Sequence, residues 1–441
     1  MTHATIVPPY LLQALADHAD DDYLSGCATS TLERDRAWRE QRTTPPEVQP
    51  PAAGGTSQRT VSDAENGSEL PGRTVRSEGD PATGDAAVDE AYDGMGAVYA
   101  LFKEVYGRDS LDGDGHPRDA TVHYERDYDN AFWDGQRLVF GDGDGQIFER
   151  FTKPLDVIAH EFTHGVTQHT AALVYQGQSG SLNESVSDVF AALTVQRLLG
   201  QTADQASWLI GEGLFKPTVN GRALRSMEAP GTAYDDPRIG KDPQPATMSD
   251  FVDTTDDNGG VHINSGIPNR AFYLLSTALG GNAWETAGQV WYATLTDQRL
   301  TADADFATFA GLTAAIAAEQ HGDGSPAHQA VLEAWAGVEV QPGSSTPEGG
   351  GGPTGRVVRV RRTGGFAGLV TERQVDTASL DQGRRLEQLL DQADLTAVPA
   401  SSPRPDSYVF LIEVDGTAFT VGEPDLTPEL AELVRLVLDT R

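Results

Sequence analysis

His160-Glu161-Phe162-Thr163-His164 sets two imidazoles at positions i and i+4. On an α-helix those positions share one face, so both rings can reach a single ion. Glu161 lies beside that face, where a carboxylate can take a proton from a metal-held water. A catalytic zinc centre also needs a third protein ligand and an open fourth position. Beyond His164 runs Ser181-Leu182-Asn183-Glu184-Ser185-Val186-Ser187-Asp188. A helix there, ended by Gly200, aligns Glu184 with Asp188: Glu184 can ligate, and Asp188 can accept the second N–H of a ligand histidine. Taken singly, the two segments also read as solvated histidines on an amphipathic helix and as an acidic first turn complementing a helix dipole. Together they require two helices that face each other across one ion.

Composition removes several other classes. No stretch of the 441 residues approaches 18 consecutive apolar positions, so no membrane-spanning helix is expected. Residues 1–20 carry no Lys or Arg, and Gln13, Asp17 and Asp20 interrupt their apolar positions, which argues against a Sec-type signal peptide. The single cysteine, Cys27, leaves no intramolecular disulfide. A net charge of −34 repels phosphate backbones and makes nucleic acid an improbable partner. Only four lysines occur, so 28 of the 32 basic residues are Arg; GC-rich coding and adaptation to high salt are the two readings of that bias.

Two linkers divide the chain: the Pro-rich stretch 42–57 and the Gly/Ser/Pro-rich stretch 341–355. The N-terminal piece shows helical patterns at about 10–19 and 28–40; forty residues bury no core alone, so it must dock or stay disordered. The body opens strand-rich, with Thr121-Val122-His123-Tyr124, then Leu138-Val139-Phe140, the turn Gly141-Asp142-Gly143-Asp144-Gly145, and Ile147-Phe148. Helices are expected at 154–170, 182–199, 265–279, 282–296, 303–319 and 325–335. A β-rich half followed by a helical half predicts an α+β fold with two lobes. In the C-terminal unit, Arg356–Arg362 reads as a strand continued at Phe366–Leu369. Leu380–Ala393 reads as a helix, Tyr408–Val414 with Thr417–Val421 as a hairpin, and Pro428–Leu438 as a last helix. The unit has no His or Cys and so no catalytic metal.

HEFTH followed by NESVSD resembles the thermolysin family of zinc endopeptidases. The likeness continues through Tyr128-Asp129-Asn130-Ala131-Phe132-Trp133, the GDGDG turn, Leu173-Val174-Tyr175-Gln176, Leu224-Arg225-Ser226-Met227 and Asp257–Gly266, and covers nearly all of 58–340. Pro8-Pro9-Tyr10-Leu11 and Val75-Arg76-Ser77-Glu78-Gly79 are closer to its protealysin branch. The resemblance implies a thermolysin-like two-lobed α+β peptidase with a zinc-binding helix between the lobes. Residues 1–57 would be a prosegment with its linker, 58–165 the N-terminal lobe with the HExxH helix, 166–340 the helical lobe, and 356–441 a small α+β module. It makes His160, His164 and Glu184 the zinc ligands and Glu161 the general base that activates zinc-bound water. His262 and Tyr175 become oxyanion donors, Asp257 orients His262, and Asp188 and Asn183 support the ligands. Asn130, Ala131 and Arg225 become backbone clamps. Phe148, Phe151, Val157, Ile210, Leu214 and Leu224 match an apolar specificity pocket, implying cleavage before bulky hydrophobic residues; plain core membership explains the same six.

The chain departs from thermolysin at the double calcium site. Asp156 and Glu212 remain, but the other carboxylate positions fall on Val195, Ser207 and Leu209, too few oxygens for two ions, so that site is expected to be lost. Asp142 and Asp144 in GDGDG, and Asp112 and Asp114 in DGDG, lack EF-hand register and read as turns. Cys27 reads as a small apolar residue, with a zinc-capping thiolate as the alternative. Arg361-Arg362-Thr363-Gly364-Gly365-Phe366-Ala367-Gly368 resembles emfourin, a proteinaceous inhibitor of protealysin-like peptidases, so the module is expected to contact its own catalytic domain. Its arginine strand would meet acidic residues such as Asp129 and Asp134; a generic substrate-docking domain is the other reading. The implied activity is a zinc metalloendopeptidase made as a proenzyme, with a silent or permanently self-inhibited binding assembly as the rival. The family points to an extracellular site, the missing signal peptide to a cytoplasmic alternative.

Overall fold

A computed structural model describes residues 5–17, 21–41, 58–343, 357–364, 371–376, 386, 389–390, 408–414, 417–422 and 426–439. The linker 42–57, most of 341–355 and the segment Phe366–Leu369 lie outside the described residues. Two compact units result, Met1–Ser345 and Thr346–Arg441.

The first unit opens with α1 (Pro9–Asp17) and α2 (Asp22–Gln41). A five-stranded sheet follows: β1 (Arg59–Asp63), β2 (Arg73–Ser77), β3 (Arg118–Val122), β4 (Ala131–Trp133) and β5 (Leu138–Phe140), in the order β2-β1-β3-β5-β4. β1–β3 and β3–β5 are parallel, and the outer pairs are antiparallel, leaving β4 at one edge.

This half is less purely β than the sequence suggests. A 21-residue helix, α3 (Ala86–Tyr106), runs through it. Asp85 caps its N-terminus by accepting from Ala87 and Val88, and Gly107 closes it in the left-handed region. Its buried face carries Val88, Ala91, Tyr92, Met95, Val98, Leu101 and Phe102, a helical period broken to the eye by Gly94 and Gly96. Gly94 is there for contact, since a Cβ would lie 2.5 Å from Ile158 Cδ1. Ile147-Phe148 forms no strand; Phe148 makes only an isolated bridge to Phe215.

The HEFTH segment lies on α4 (Leu155–Gln168), and the NESVSD segment on α5 (Gly177–Leu199), which starts five residues before the expected 182. Both helices are buried on nearly all sides, α4 from Asp156 to Thr167 without a break. Phe102 of α3, Phe162 of α4 and Phe190 of α5 meet where the three helices pack, with the Phe162 and Phe190 ring centroids 6.0 and 5.1 Å from that of Phe102. Each such buried ring contributes on the order of 1.5–3 kcal/mol. The remaining helices are α6 (Asp257–Asn264), α7 (Gly266–Leu279), α8 (Thr286–Thr296), α9 (Phe306–His321) and α10 (Pro326–Gly337). Trp291 of α8 stacks on Trp335 of α10 at 5.8 Å to fix that bundle.

The second unit has a four-stranded antiparallel sheet: β8 (Val357–Gly364), β9 (Thr371–Asp376), β10 (Tyr408–Val414) and β11 (Thr417–Gly422), in the order β9-β8-β10-β11, with a helix over Pro428–Asp439. Of the expected helix 380–393, only 386, 389 and 390 are described, and they are helical. Val358 and Val360 are buried in the module's own core with Ile412, Leu433 and Val437, whereas Arg359 and Arg361 alternate onto the open face. Among the described residues, no helix is long and apolar enough to cross a membrane.

Candidate metal centre and substrate cleft

α4 and α5 bring His160, His164 and Glu184 together, their ligating atoms within 4.8 Å of one another and all three residues buried. The rings are aimed by their outer nitrogens. His160 Nδ1 donates to Asp188 Oδ1 at 2.8 Å, and His164 Nδ1 donates to Asn183 Oδ1 at 2.9 Å. Asn183 is itself oriented by donating through Nδ2 to the Leu173 carbonyl. Both Nε2 atoms therefore face inward, 3.0 Å apart, with Glu184 oxygens 3.4 and 3.5 Å away. Burial lowers both imidazoles, but Asp188 and Glu184 outweigh it at His160, raising it to about 9, while His164 is pushed down to about 4. Two ring nitrogens and a carboxylate closing on one point form the donor set of a catalytic zinc site.

Glu161 is fully buried next to the ligands, and neither of its carboxylate oxygens has a hydrogen-bond partner. Burial raises its pKa to about 8. A carboxylate so placed is costly unless something polar joins it, which fits a water or substrate group as its partner.

His262 arrives from a left-handed turn. Asp257, Asn258, Gly259 and Gly260 all have positive φ, which L-residues other than Asn and Asp rarely adopt; hence the Asp-Asn-Gly-Gly sequence. The turn folds Asp257 back onto its own helix: its carboxylate accepts from His262 Nδ1 at 2.6 Å and from the His262 amide at 2.8 Å. Tyr175 OH donates to Glu184 Oε1 and lies 3.2 Å from His262 Nε2.

Asp188 is the hub. Besides His160 it accepts two bonds of 2.8 Å from Arg225 and one of 2.8 Å from Asn269. Burial would raise its pKa, but Arg225 and His160 prevail and hold it at about 2. Arg225 sits on β7 (Arg225–Ser226), paired with Ile210 of β6 (Leu209–Ile210). Phe148, Phe151, Val157, Ile210, Leu214 and Leu224 are all buried in the main core, with Phe148 and Phe151 rings 5.6 Å apart.

Asn130 and Ala131 lie at edge strand β4, and the chain's own N-terminus occupies them. Thr5 bridges Phe132 in antiparallel sense. Ile6 N–H donates to Ala131 O at 3.1 Å, Val7 N–H to Asn130 Oδ1 at 2.9 Å, and Asn130 Nδ2 to Val7 O at 3.3 Å. Arg225 Nη1 donates to Ile6 O at 2.9 Å, and His262 Nε2 to Thr5 O at 2.8 Å. On α2, Asp35 accepts from Asn130 Nδ2 at 3.0 Å and from Tyr128 OH.

Thr5, Ile6, Asp35 and Asn269 belong to the site without a motif that marks them in the sequence. Thr5-Ile6-Val7 carried a faint signal, a β-branched run before Pro8-Pro9. Asp35 and Asn269 carried none, because their partners are distant in the chain. Asp129 and Asp134, read as acidic docking points, are buried instead: Asp129 accepts from the Asp144 amide, and Asp134 accepts from the Gln136 and Arg137 amides. Cys27 is buried outside the converging set of His160, His164 and Glu184, and burial raises its thiol to about 11. Asp156 is buried, accepts from the Gly211 amide and is raised by burial to about 7, while Glu212 is exposed.

Residues 53–168 match the family model described as thermolysin metallopeptidase, catalytic domain, and residues 171–340 its alpha-helical domain; residues 360–438 match Emfourin. An extracellular metalloprotease of Pectobacterium carotovorum subsp. carotovorum is 51% identical over 316 residues, 72% of this chain and 91% of that one. A thermolysin of Alicyclobacillus acidocaldarius subsp. acidocaldarius is 40% identical over 288 residues, 63% of this chain and 50% of its own length. The solved structure of the precursor of protealysin, a metalloproteinase from Serratia proteamaculans, aligns with a TM-score of 0.70 at 51% identity, covering 76% of this chain and 99% of that one. With its paired domains, its buried His-His-Glu cluster and these relatives, the chain belongs to the thermolysin family of metallopeptidases, on the protealysin-like side, and carries an emfourin domain at its C-terminal end.

Proposed function

We propose that this protein is the proenzyme of a zinc-dependent endopeptidase that cuts before bulky hydrophobic residues. The observation that carries the reading is the convergence of His160, His164 and Glu184 beside the unpartnered carboxylate of Glu161. Zinc bound there would polarise the scissile carbonyl and acidify a water molecule. Glu161 takes the proton from that water and returns it to the leaving nitrogen; burial tunes its affinity towards the neutral range that such a shuttle needs. His262, whose hold on a proton Asp257 strengthens against the effect of burial, and the Tyr175 hydroxyl donate to the oxygen that gains charge. Ala131 O, Asn130 and Arg225 hold the substrate backbone as an added strand on β4. The six buried apolar residues would receive the side chain on the leaving-group side.

Casein digestion should be abolished by a chelator and restored by zinc. Digestion that persists in the metal-stripped protein would exclude the reading. The double calcium site is proposed to be lost, since Val195, Ser207 and Leu209 offer no carboxylate. Calcium should then raise the melting temperature by less than ~10 °C, stabilisation being set by affinity and occupancy.

The occupied cleft favours a self-inhibited state of the uncleaved chain, and the emfourin module is proposed as a second restraint on the enzyme it is attached to. The 341–355 linker makes that contact intramolecular, at an effective concentration in the ~millimolar range, so a weak inhibitor would suffice. Truncation after residue 345 should raise kcat/KM of the matured enzyme on a protein substrate, and added free module should lower it again. Unchanged activity in both arms would replace the inhibitor with a docking domain. Extracellular work is proposed from the relatives described as extracellular metalloproteases; nucleic acid is not proposed as a partner of so acidic a chain.

A further inference from the structure

The N-terminal segment lies in the cleft with the polarity of a substrate. The carbonyl that meets His262 is the main-chain carbonyl of Thr5, and the one that meets Arg225 is that of Ile6. The N–H of each of these two peptide units is held as well, Ile6 N–H by Ala131 O and Val7 N–H by Asn130. Thr5, Ile6 and Val7 are all buried. A segment that merely plugged the cleft would not have to put a peptide carbonyl at the oxyanion donor, nor a hydrophobic residue immediately after it. Both conditions are met at one bond.

Resting on the endopeptidase reading above, we propose that the chain contains its own first substrate: the Thr5–Ile6 bond is hydrolysed in cis, and the chain from Ile6 onward stays in the cleft as bound product. Water oxygen joins the Thr5 carbonyl carbon, the bond to Ile6 nitrogen breaks, and Glu161 passes a water proton to that nitrogen. Thr5 ends as a carboxylate and Ile6 as an ammonium group.

The asymmetry of anchoring decides what happens next. On the Ile6 side the segment continues into Pro8-Pro9, whose fixed φ limits recoil, and then into α1, which buries Leu11, Leu12 and Leu15. α2 adds Asp35 on Asn130, Thr31 on the Asp129 amide at 3.1 Å, and Tyr23 on the Asp144 carbonyl at 3.0 Å. The product ending at Thr5 has lost its link to α1 and α2, is left with the contacts of Thr5 at His262 and Phe132, and leaves. This cut therefore shortens the chain without opening the cleft, and opening waits for a second cut in or near 42–60.

The test compares zinc-loaded full-length wild type with Glu161→Gln by intact mass and N-terminal sequencing. Wild type should begin at Ile6, at a rate unchanged by tenfold dilution, whereas Glu161→Gln should keep the Thr5–Ile6 bond. Amide exchange in the zinc-free Glu161→Gln chain gives a readout without turnover: Ile6 and Val7 should be slowed at least ~100-fold relative to free peptide, as hydrogen-bonded amides of a docked segment are. Wild type that digests casein while Thr5–Ile6 stays intact overturns this proposal alone. Exchange of Ile6 and Val7 at free-peptide rates overturns it too. A chain inactive on casein at every stage of processing overturns the endopeptidase reading and this proposal with it.

Discussion

Glu161→Gln should leave the zinc content and melting temperature at wild-type values and reduce kcat by about 10²–10⁴-fold, the usual contribution of a positioned general base. Glu161 is not among the three converging ligands, so its loss spares the metal set. Its oxygens make no hydrogen bond that the fold depends on. The glutamine is nearly isosteric and neutral, which removes a buried charge as well as the proton acceptor. Stopped assays with matched zinc occupancy would check it. Retention of more than about a tenth of wild-type kcat would reject Glu161 as the base, because that falls below the range for proton transfer.

Asp188→Asn should produce the opposite profile: a large loss of stability, a weaker zinc site and impaired substrate binding together. One carboxylate serves His160, Arg225 and Asn269. Arg225 has no exposed surface, so the substitution leaves a buried guanidinium without its counter-charge, a defect of about 3–5 kcal/mol. Losing the carboxylate behind a ligand histidine typically weakens metal binding about 10–100-fold. KM should rise because Arg225 is no longer held against the substrate backbone. The linkage to pH has a definite sign. The folded-state pKa of about 2 lies below the ordinary value of about 3.9, so the contribution is fully present above pH ~4 and is lost as pH falls towards 2. The variant should therefore lose less stability than wild type across that window. Chelator competition, thermal melts at pH 7 and pH 3, and a kcat against KM split would check these outcomes; a variant with wild-type zinc affinity and melting temperature would show that Asp188 is dispensable.

The sequence by itself determined the parts of the site that lie close together in the chain. His160, Glu161 and His164 share a helix, Asn183, Glu184 and Asp188 share the next, and Asp257 and His262 share one turn; helical period and turn chemistry fix such neighbours locally. The alternation of Val358, Arg359, Val360 and Arg361 likewise announced a sheet with one covered face. α3 was missed because Gly94 and Gly96 lower helix propensity, and their reason, close approach of Ile158 and Arg59, belongs to other elements. Only the tertiary structure could join Asp188 to Arg225 and Asn269, bury Asp129 and Asp134, and lay Thr5-Ile6-Val7 along β4. The Asp188 hub and the docked N-terminal segment pair groups between 37 and 219 residues apart, and neither hydrophobic periodicity nor a short motif encodes a partner at such a distance. What a local pattern cannot supply is the low-dielectric surroundings that make such pairings decisive: burial turns one aspartate into the hub of the site and one peptide bond of the N-terminus into its occupant.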